Sequence, residues 1–399
     1  MRTVFRLFFI LIFIQVVLMA VFLLITHKKD VVTRVEDESV ANEKEQQIIE
    51  QKALAFESFI LETKSLEESK METKEGVVHY LGVKKEDIPT IEQKVNNNDT
   101  QFVMISFDGS RSLSSWKKTL GFAQEMKSKN IPISFTYFIS GVYLLPSHQK
   151  SLYDLSWESP GRSDINFGDS VETTDKRIGY MNQAIRDGHE IGSHLNGHFE
   201  GGSWTEIQWV EEFNFFKDII SNTLPTKIDR NVDLIFDMND VKGIRSPLLS
   251  RNSALYKTLA SQNFNYDTSR VVKIGTEPWK DSNGIWQFPL VYLTVGGKQS
   301  LSMDYNHYEA QTNVKDTLNA GTVEWDKAKK EVVDSYLDYF EREYTGVRAP
   351  INIGHHFSMW NDGVYWEALK EFASKVCSKS NVVCTNYSDL VSYLENSQL

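Results

Sequence analysis

An apolar run from Phe102 to Phe107 ends in Asp108-Gly109-Ser110, and the pattern after it constrains the fold more than any other feature of the chain. From Ser112 to Lys127, Leu113, Trp116, Leu120, Phe122, Ala123 and Met126 recur at helical spacing, and Ile133 to Ile139 is again strand-like. A strand, a helix and a strand in that order predict a parallel pair, because a crossover helix brings the second strand back in the direction of the first. Further strands are predicted at Glu190 to Ser193, Gly243 to Arg245, Phe288 to Thr294 and Ile351 to Gly354. Helices are predicted at Thr205 to Ser221, Ser253 to Ser261, Lys327 to Glu343, Val364 to Val376 and Tyr387 to Leu394. The alternation implies a barrel-like α/β domain over residues 101–399. The Ser-, Gly- and Pro-rich stretch from Leu144 to Asp175 breaks it and reads as a long surface excursion.

The residues upstream have another character. Leu7 to Ile25 is apolar apart from Gln15, with Arg2 and Arg6 before it and Lys28 and Lys29 after it. At about 1.5 Å per residue such a helix nearly spans a bilayer core. No small-x-small cleavage site follows, so residues 1–29 read as an uncleaved signal-anchor, with a cleaved signal peptide as the alternative. His27 to Glu75 contains neither Gly nor Pro and is rich in Glu, Lys, Gln and Ala. Residues 30–100 therefore read as a helical or partly disordered stalk. The expected location is the cell membrane, single-pass, with the larger domain extracytoplasmic, or periplasmic in a Gram-negative source.

The net charge is -11, from 54 acidic against 43 basic residues, which repels phosphate backbones and argues against nucleic acid as a partner. Cys377 and Cys384 carry no metal-ligand pattern around them. In an oxidising compartment they could close one short loop.

Five short motifs carry candidate chemistry. His194-Leu-Asn-Gly-His198 directly follows Gly188-His189-Glu190-Ile191-Gly192-Ser193, and two His at i and i+4 can point the same way from one helical turn to hold one metal ion. Asp108 ends an apolar strand, where a carboxylate can bind metal, take a proton or cap the next helix. Arg245, in Gly243-Ile244-Arg245-Ser246-Pro247, can orient a carboxylate through charge-assisted hydrogen bonds. Tyr266-Asp267-Thr268-Ser269 supplies another acid, and Ile351-Asn352-Ile353-Gly354-His355-His356-Phe357 is a strand ending in histidine, a natural general acid.

In this order the motifs resemble those of the polysaccharide deacetylase family (the NodB-homology group, carbohydrate esterase family 4), over roughly Gln101 to Leu394. The resemblance implies a distorted (β/α) barrel with one divalent ion, commonly zinc, held by His194 and His198. It implies hydrolysis of N-acetyl groups on an N-acetylglucosamine polysaccharide such as peptidoglycan. Asp108 would be the general base, Arg245 its orienting partner, His355 or His356 the acid, and Asp267 the carboxylate that tunes that acid. Alternation from Ile351 and Ile353 puts His355 on their face, while spacing to Phe357 and Trp360 favours His356. Two positions depart from the family pattern. Gly109 stands where the family has a second, metal-binding Asp, and Asp164, Asp169 and Glu200 are candidate substitutes. Leu248 stands where an aromatic usually follows the Pro of the third motif. A non-catalytic glycan-binding member of the same fold is the alternative reading.

Overall fold

A computed structural model describes residues 100–396. The expected anchor and stalk lie outside the described residues, and among the described residues no helix is long and apolar enough to cross a membrane.

Strand β1 (Gln101–Gly109) is followed by α1 (Leu113–Ser128), β2 (Phe135–Ile139), α2 (Val171–Arg186), β3 (Glu190–Ser193), α3 (Glu206–Ser221), β4 (Gly243–Ile244), α4 (Ser253–Ser261) and β5 (Tyr266–Asp267). Short strands β6 (Val271–Val272), β7 (Trp279–Lys280) and β8 (Trp286–Gln287) precede β9 (Leu290–Val295) and β10 (Lys298–Leu301). The chain then forms α5 (Asp304–Thr312), α6 (Val323–Thr345), β11 (Ile351–His356), α7 (Trp360–Val376), β12 (Val382–Thr385) and α8 (Tyr387–Asn396). The main sheet runs β11-β1-β2-β3-β4-β5-β8-β7, with β12 also on β1; β10, β9 and β6 form a second, small sheet.

Every pairing from β11 to β8 is parallel, as the strand-helix-strand order predicts, and β7 alone runs back against β8. That hairpin turns at Asp281–Gly284 and ends the series, so the sheet curls into a half-barrel rather than closing. Side-chain and single backbone bonds bridge part of the gap. Asn352 Nδ2 on β11 donates to the carbonyls of Phe288 and Pro289 at 2.7 and 3.0 Å, and Gly354 N donates to Ser302 O at 2.9 Å.

Both faces of the sheet are buried, so β1 is apolar on both from Phe102 to Ile105. Val103, Ile105 and Phe107 pack outward with Trp116 and Leu120 of α1 and Val364, Leu369 and Phe372 of α7. Phe102 and Met104 pack inward with Phe138, Tyr266, Trp286 and Phe288, and with Tyr387, Leu390 and Val391 of α8. Each such buried side chain contributes on the order of 1.5–3 kcal/mol. Glu190 of β3 docks α8: its Oε2 accepts from the backbone N–H of Tyr387 (3.1 Å) and Ser388 (3.3 Å), where a carboxylate meets the positive end of the helix dipole.

The stretch from Leu144 runs along the surface as expected, most of it exposed or half-buried, but it is anchored by Leu144, Leu145, Tyr153 and Leu155, each 2% exposed or less, on two short 3₁₀ turns and the chain after them. Helix α2, beginning at Val171, escaped the periodicity because half its buried face is polar: Thr174, Arg177 and Asn182 lie inside with Ile178, Met181 and Ala184. Arg177 is accommodated by the carbonyls of Arg111, Tyr143 and Gly168. The two cysteines form a disulfide joining the end of α7 to β12.

Candidate active site

Asp108 lies one residue from the end of β1, its side chain 2% exposed, directly in register with His356 on β11. Arg245 follows β4 and is fully buried. Its Nη1 donates to Asp108 Oδ1 at 2.9 Å, its Nε to Thr268 Oγ1 at 3.0 Å and its Nη2 to the hydroxyl of Tyr387 at 3.2 Å. The guanidinium sits 4.8 Å from the ring centroid of Phe138. Burial works against its charge, but Asp108 and Tyr387 outweigh it and hold the pKa above the ordinary value. Gly354 on β11 makes room for this group, since a Cβ there would come 2.8 Å from Arg245 Nη1. Tyr387 also donates to Asn352 Oδ1, so α8 reaches the site through one hydroxyl. Sequence reasoning had placed Tyr387 only at the start of a helix.

His194 follows β3. Its backbone N–H donates to Ile139 O at 2.8 Å, and its Nδ1 is 2.6 Å from Arg245 O. A carbonyl can only accept, so Nδ1 carries the proton and Nε2 keeps its lone pair. The segment from His194 to His198 is not the helical turn that the spacing implied. Leu195 and His198 take left-handed φ values of 57° and 59°. The loop is tied to α3 instead: Asn196 N and Gly197 N donate to Glu212 Oε1 at 2.9 and 3.3 Å, and Tyr153 Oη donates to Glu212 Oε2 at 2.6 Å. The two imidazoles still meet, with centroids 5.1 Å apart. Burial pushes the pKa of His194 down to about 3 and lowers that of His198, so both stay neutral near neutral pH, the form that binds metal.

The pair therefore suits a divalent ion as two of its ligands. Among the described residues no group of three His, Cys, Asp or Glu could hold one. Gly109 has φ +98°, with open space where a Cβ would be. Asp169 pairs with Arg111 at 2.5 Å and lies 3.7 Å from Arg177; Glu200 accepts from Ser250 Oγ and Gly202 N. Asp164, paired with Arg162 at 3.2 Å and 45% exposed, is the one candidate substitute whose charge reaches His198.

His355 and His356 end β11 on opposite faces. His355 faces outward beside Phe107, its Nε2 2.9 Å from the Tyr336 hydroxyl, and burial pushes its pKa down to about 4. His356 faces inward with Asp108, and the charges of both act on His194 and His198. The carboxylate beside His356 is Asp304, at the start of α5: Nδ1 donates to Asp304 Oδ1 at 2.6 Å and the His356 N–H to Oδ2 at 2.9 Å. Asp267, expected in that role, instead accepts from Ser269 N (3.0 Å), Ser269 Oγ (2.6 Å) and Tyr256 Oη (3.2 Å). The cause is topological: β5 lies four strands from β1, whereas α5 packs against β11. In the sequence no motif surrounds Asp304.

Burial opposes the charging of His356, but Asp304, then Asp108, more than offset it and raise its pKa above 6.5. A raised pKa fixes the sign of the pH dependence. The stabilisation from this pair is complete below about 6.5 and fades as pH rises through the raised folded-state value. At 30% side-chain exposure solvent screens part of it. If His356 is a working acid, the basic limb of the kcat/KM profile lies above the ordinary imidazole range. Asp304→Asn is expected to move that limb to lower pH; an unmoved limb excludes His356 as the group that sets it.

At the rim, the Trp360 and Tyr305 rings lie 5.5 and 6.2 Å from His356, and Tyr305 is 40% exposed. Leu248 and the adjacent Leu249 both take left-handed φ, 55° and 56°, and Leu248 is 64% exposed. Leu248 thus lies open at the position where the family pattern has an aromatic.

No family model matches the chain, and no curated protein matches it. Solved structures similar to it are described as polysaccharide deacetylases or family 4 carbohydrate esterases. Similar solved structures include a Mycobacterium smegmatis protein described as a polysaccharide deacetylase (16% identity, 77% of this chain and 94% of that one, TM-score 0.49). Peptidoglycan deacetylase PdaC from Bacillus subtilis is similar at 11% identity (76% and 96% covered, TM-score 0.38). A mutant CE4 family pseudoenzyme is similar at 10% identity (77% and 72% covered, TM-score 0.39).

Proposed function

We propose that this chain is a metal-dependent deacetylase that hydrolyses N-acetyl groups on an N-acetylglucosamine polysaccharide of the cell envelope and releases acetate. The observation that carries the reading is the inward-facing pair of Asp108 and His356, in register on adjacent strands, one held by Arg245 and the other by Asp304, with charges that reach both His194 and His198. A carboxylate base and an imidazolium acid beside a histidine pair are the groups that amide hydrolysis needs.

A zinc ion held by His194 and His198 would supply Lewis-acid polarisation of the acetamide carbonyl and a more acidic water. Asp108, held in place by Arg245 Nη1 at 2.9 Å, takes the proton of the attacking water. His356, whose pKa Asp304 raises, gives its Nε2 proton to the amine nitrogen as the carbon–nitrogen bond breaks. That proton is required because an amide anion is far too basic to leave. Tyr305 and Trp360 offer apolar faces on which a sugar ring can stack.

The test is acetate release from N-acetylglucosamine oligomers by the purified protein with zinc. His194→Ala is expected to abolish both zinc uptake and acetate release. Glycan binding without any acetate release would sink the enzyme and leave the non-catalytic reading, which Gly109 favours. The disulfide between Cys377 and Cys384 supports an oxidising, extracytoplasmic location. The apolar segment Leu7 to Ile25 supports a single-pass membrane anchor, which makes peptidoglycan or an exported poly-N-acetylglucosamine the nearer substrate.

A further inference from the structure

Behind Asp304 runs a buried hydrogen-bonded chain that the proposed chemistry does not use. Ser300 Oγ on β10 is 2.8 Å from His307 Nδ1 on α5. His307 Nε2 is 3.0 Å from the hydroxyl of Tyr336 on α6, and that hydroxyl is 2.9 Å from His355 Nε2 on β11. His355 Nδ1 then lies 3.6 Å from Asp304 Oδ2. His307 and Tyr336 are fully buried, and His355 is 2% exposed.

The ionised carboxylate gives this chain a direction. The 3.6 Å to Asp304 Oδ2 is too long for a hydrogen bond, but the negative charge there favours the His355 proton on Nδ1, which leaves Nε2 to accept from the Tyr336 O–H. The Tyr336 oxygen then accepts from His307 Nε2–H, and His307 Nδ1 accepts from the Ser300 O–H, which the Leu301 carbonyl shares at 3.2 Å. Each group in the interior of the chain donates once and accepts once. The reverse direction would set the lone pair of His355 against the carboxylate. Burial keeps both histidines neutral, with pKa values pushed down to about 3 for His307 and about 4 for His355, as this pattern requires.

The chain thus approaches Asp304 at Oδ2, whereas the His356 ring meets Oδ1. Tyr305 N and His356 N also donate to the carboxylate, at 2.8 and 2.9 Å, so it is held on several sides. We propose that Tyr336, His355 and His307 form a positioning network that fixes the Asp304 carboxylate and so presents Nε2 of His356 to the substrate. The proposal rests on the reading of His356 as the acid. It makes His355, the other candidate acid, a positioning residue.

The test is Tyr336→Phe, which removes one hydroxyl and keeps the ring packed on Phe372, 5.5 Å away. Nitrogen-15 spectra of the histidine-labelled full chain read the His356 tautomer without any need for turnover. The wild type is expected to carry the neutral-form proton on Nδ1, and the variant to show a mixture of tautomers. With N-acetylglucosamine oligomers, kcat is expected to fall about 10-fold at unchanged KM, as is usual when a partner that orients a working side chain is lost. An unchanged tautomer, or a changed one with kcat intact, overturns the network. A lower melting temperature with neither effect would reduce it to core packing. If the wild type releases no acetate, the deacetylase reading fails, and the tautomer alone decides whether the network positions His356. Should Tyr336→Phe not fold, His307→Gln is read in the same way with a smaller expected shift.

Discussion

Asp108→Asn is expected to lower kcat for acetate release by about 10²–10⁴-fold, the usual worth of a general base, while zinc content stays at the wild-type level. The substitution is nearly isosteric. An Asn Oδ1 can still accept from Arg245 Nη1, which lies 2.9 Å from the carboxylate oxygen now. What disappears is the ability to take a proton. KM is expected to change little, because sugar binding falls to the rim. Zinc per chain and kinetics are measured on the same preparation. Loss of zinc from Asp108→Asn would make Asp108 a ligand, and its assignment as the base would be wrong. Unchanged kcat with retained zinc would move the base to another residue.

Arg245→Met is expected to destabilise the fold by about 3–5 kcal/mol, the range for breaking a buried ion pair from one side. Asp108 would be left 2% exposed with its cationic partner gone, and Thr268 and Tyr387 would each lose a donor. Adding Asp108→Asn to Arg245→Met is expected to recover part of the loss, since no buried charge then remains unpaired. Urea unfolding of the wild type, both single variants and the double variant closes this cycle. If Arg245→Met unfolds within about 1 kcal/mol of the wild type, water reaches Asp108 and the pair is not sealed from solvent.

Several elements were legible because their residues repeat at the spacing the backbone imposes. The spans of α1, α3, α4 and β3 follow from runs such as Leu113, Trp116 and Leu120, where the apolar face meets one continuous core. Helix α2 was not legible, since Arg177 is buried against the carbonyls of Arg111 and Tyr143, 66 and 34 residues away, which no local pattern contains. The short strands β5 to β8 have two residues each, fewer than any periodicity needs.

The site divides along the same line. Strand ends can be read from sequence, because an apolar run that stops at a polar residue projects it at the sheet's edge. Asp108, His194, His198, Arg245 and the His355-His356 pair were therefore singled out as candidates from local chemistry and motif order. By itself the sequence determined the parallel α/β class, these residues and the departure at Gly109. Only the tertiary structure decided that His356 rather than His355 faces Asp108, that Asp304 rather than Asp267 stands beside it, and that Tyr387 reaches Arg245 from the C-terminal helix. Strand register sets the first of these contacts. The packing of α5 and α8 sets the other two, across 52 and 142 residues of chain, where no sequence period reaches.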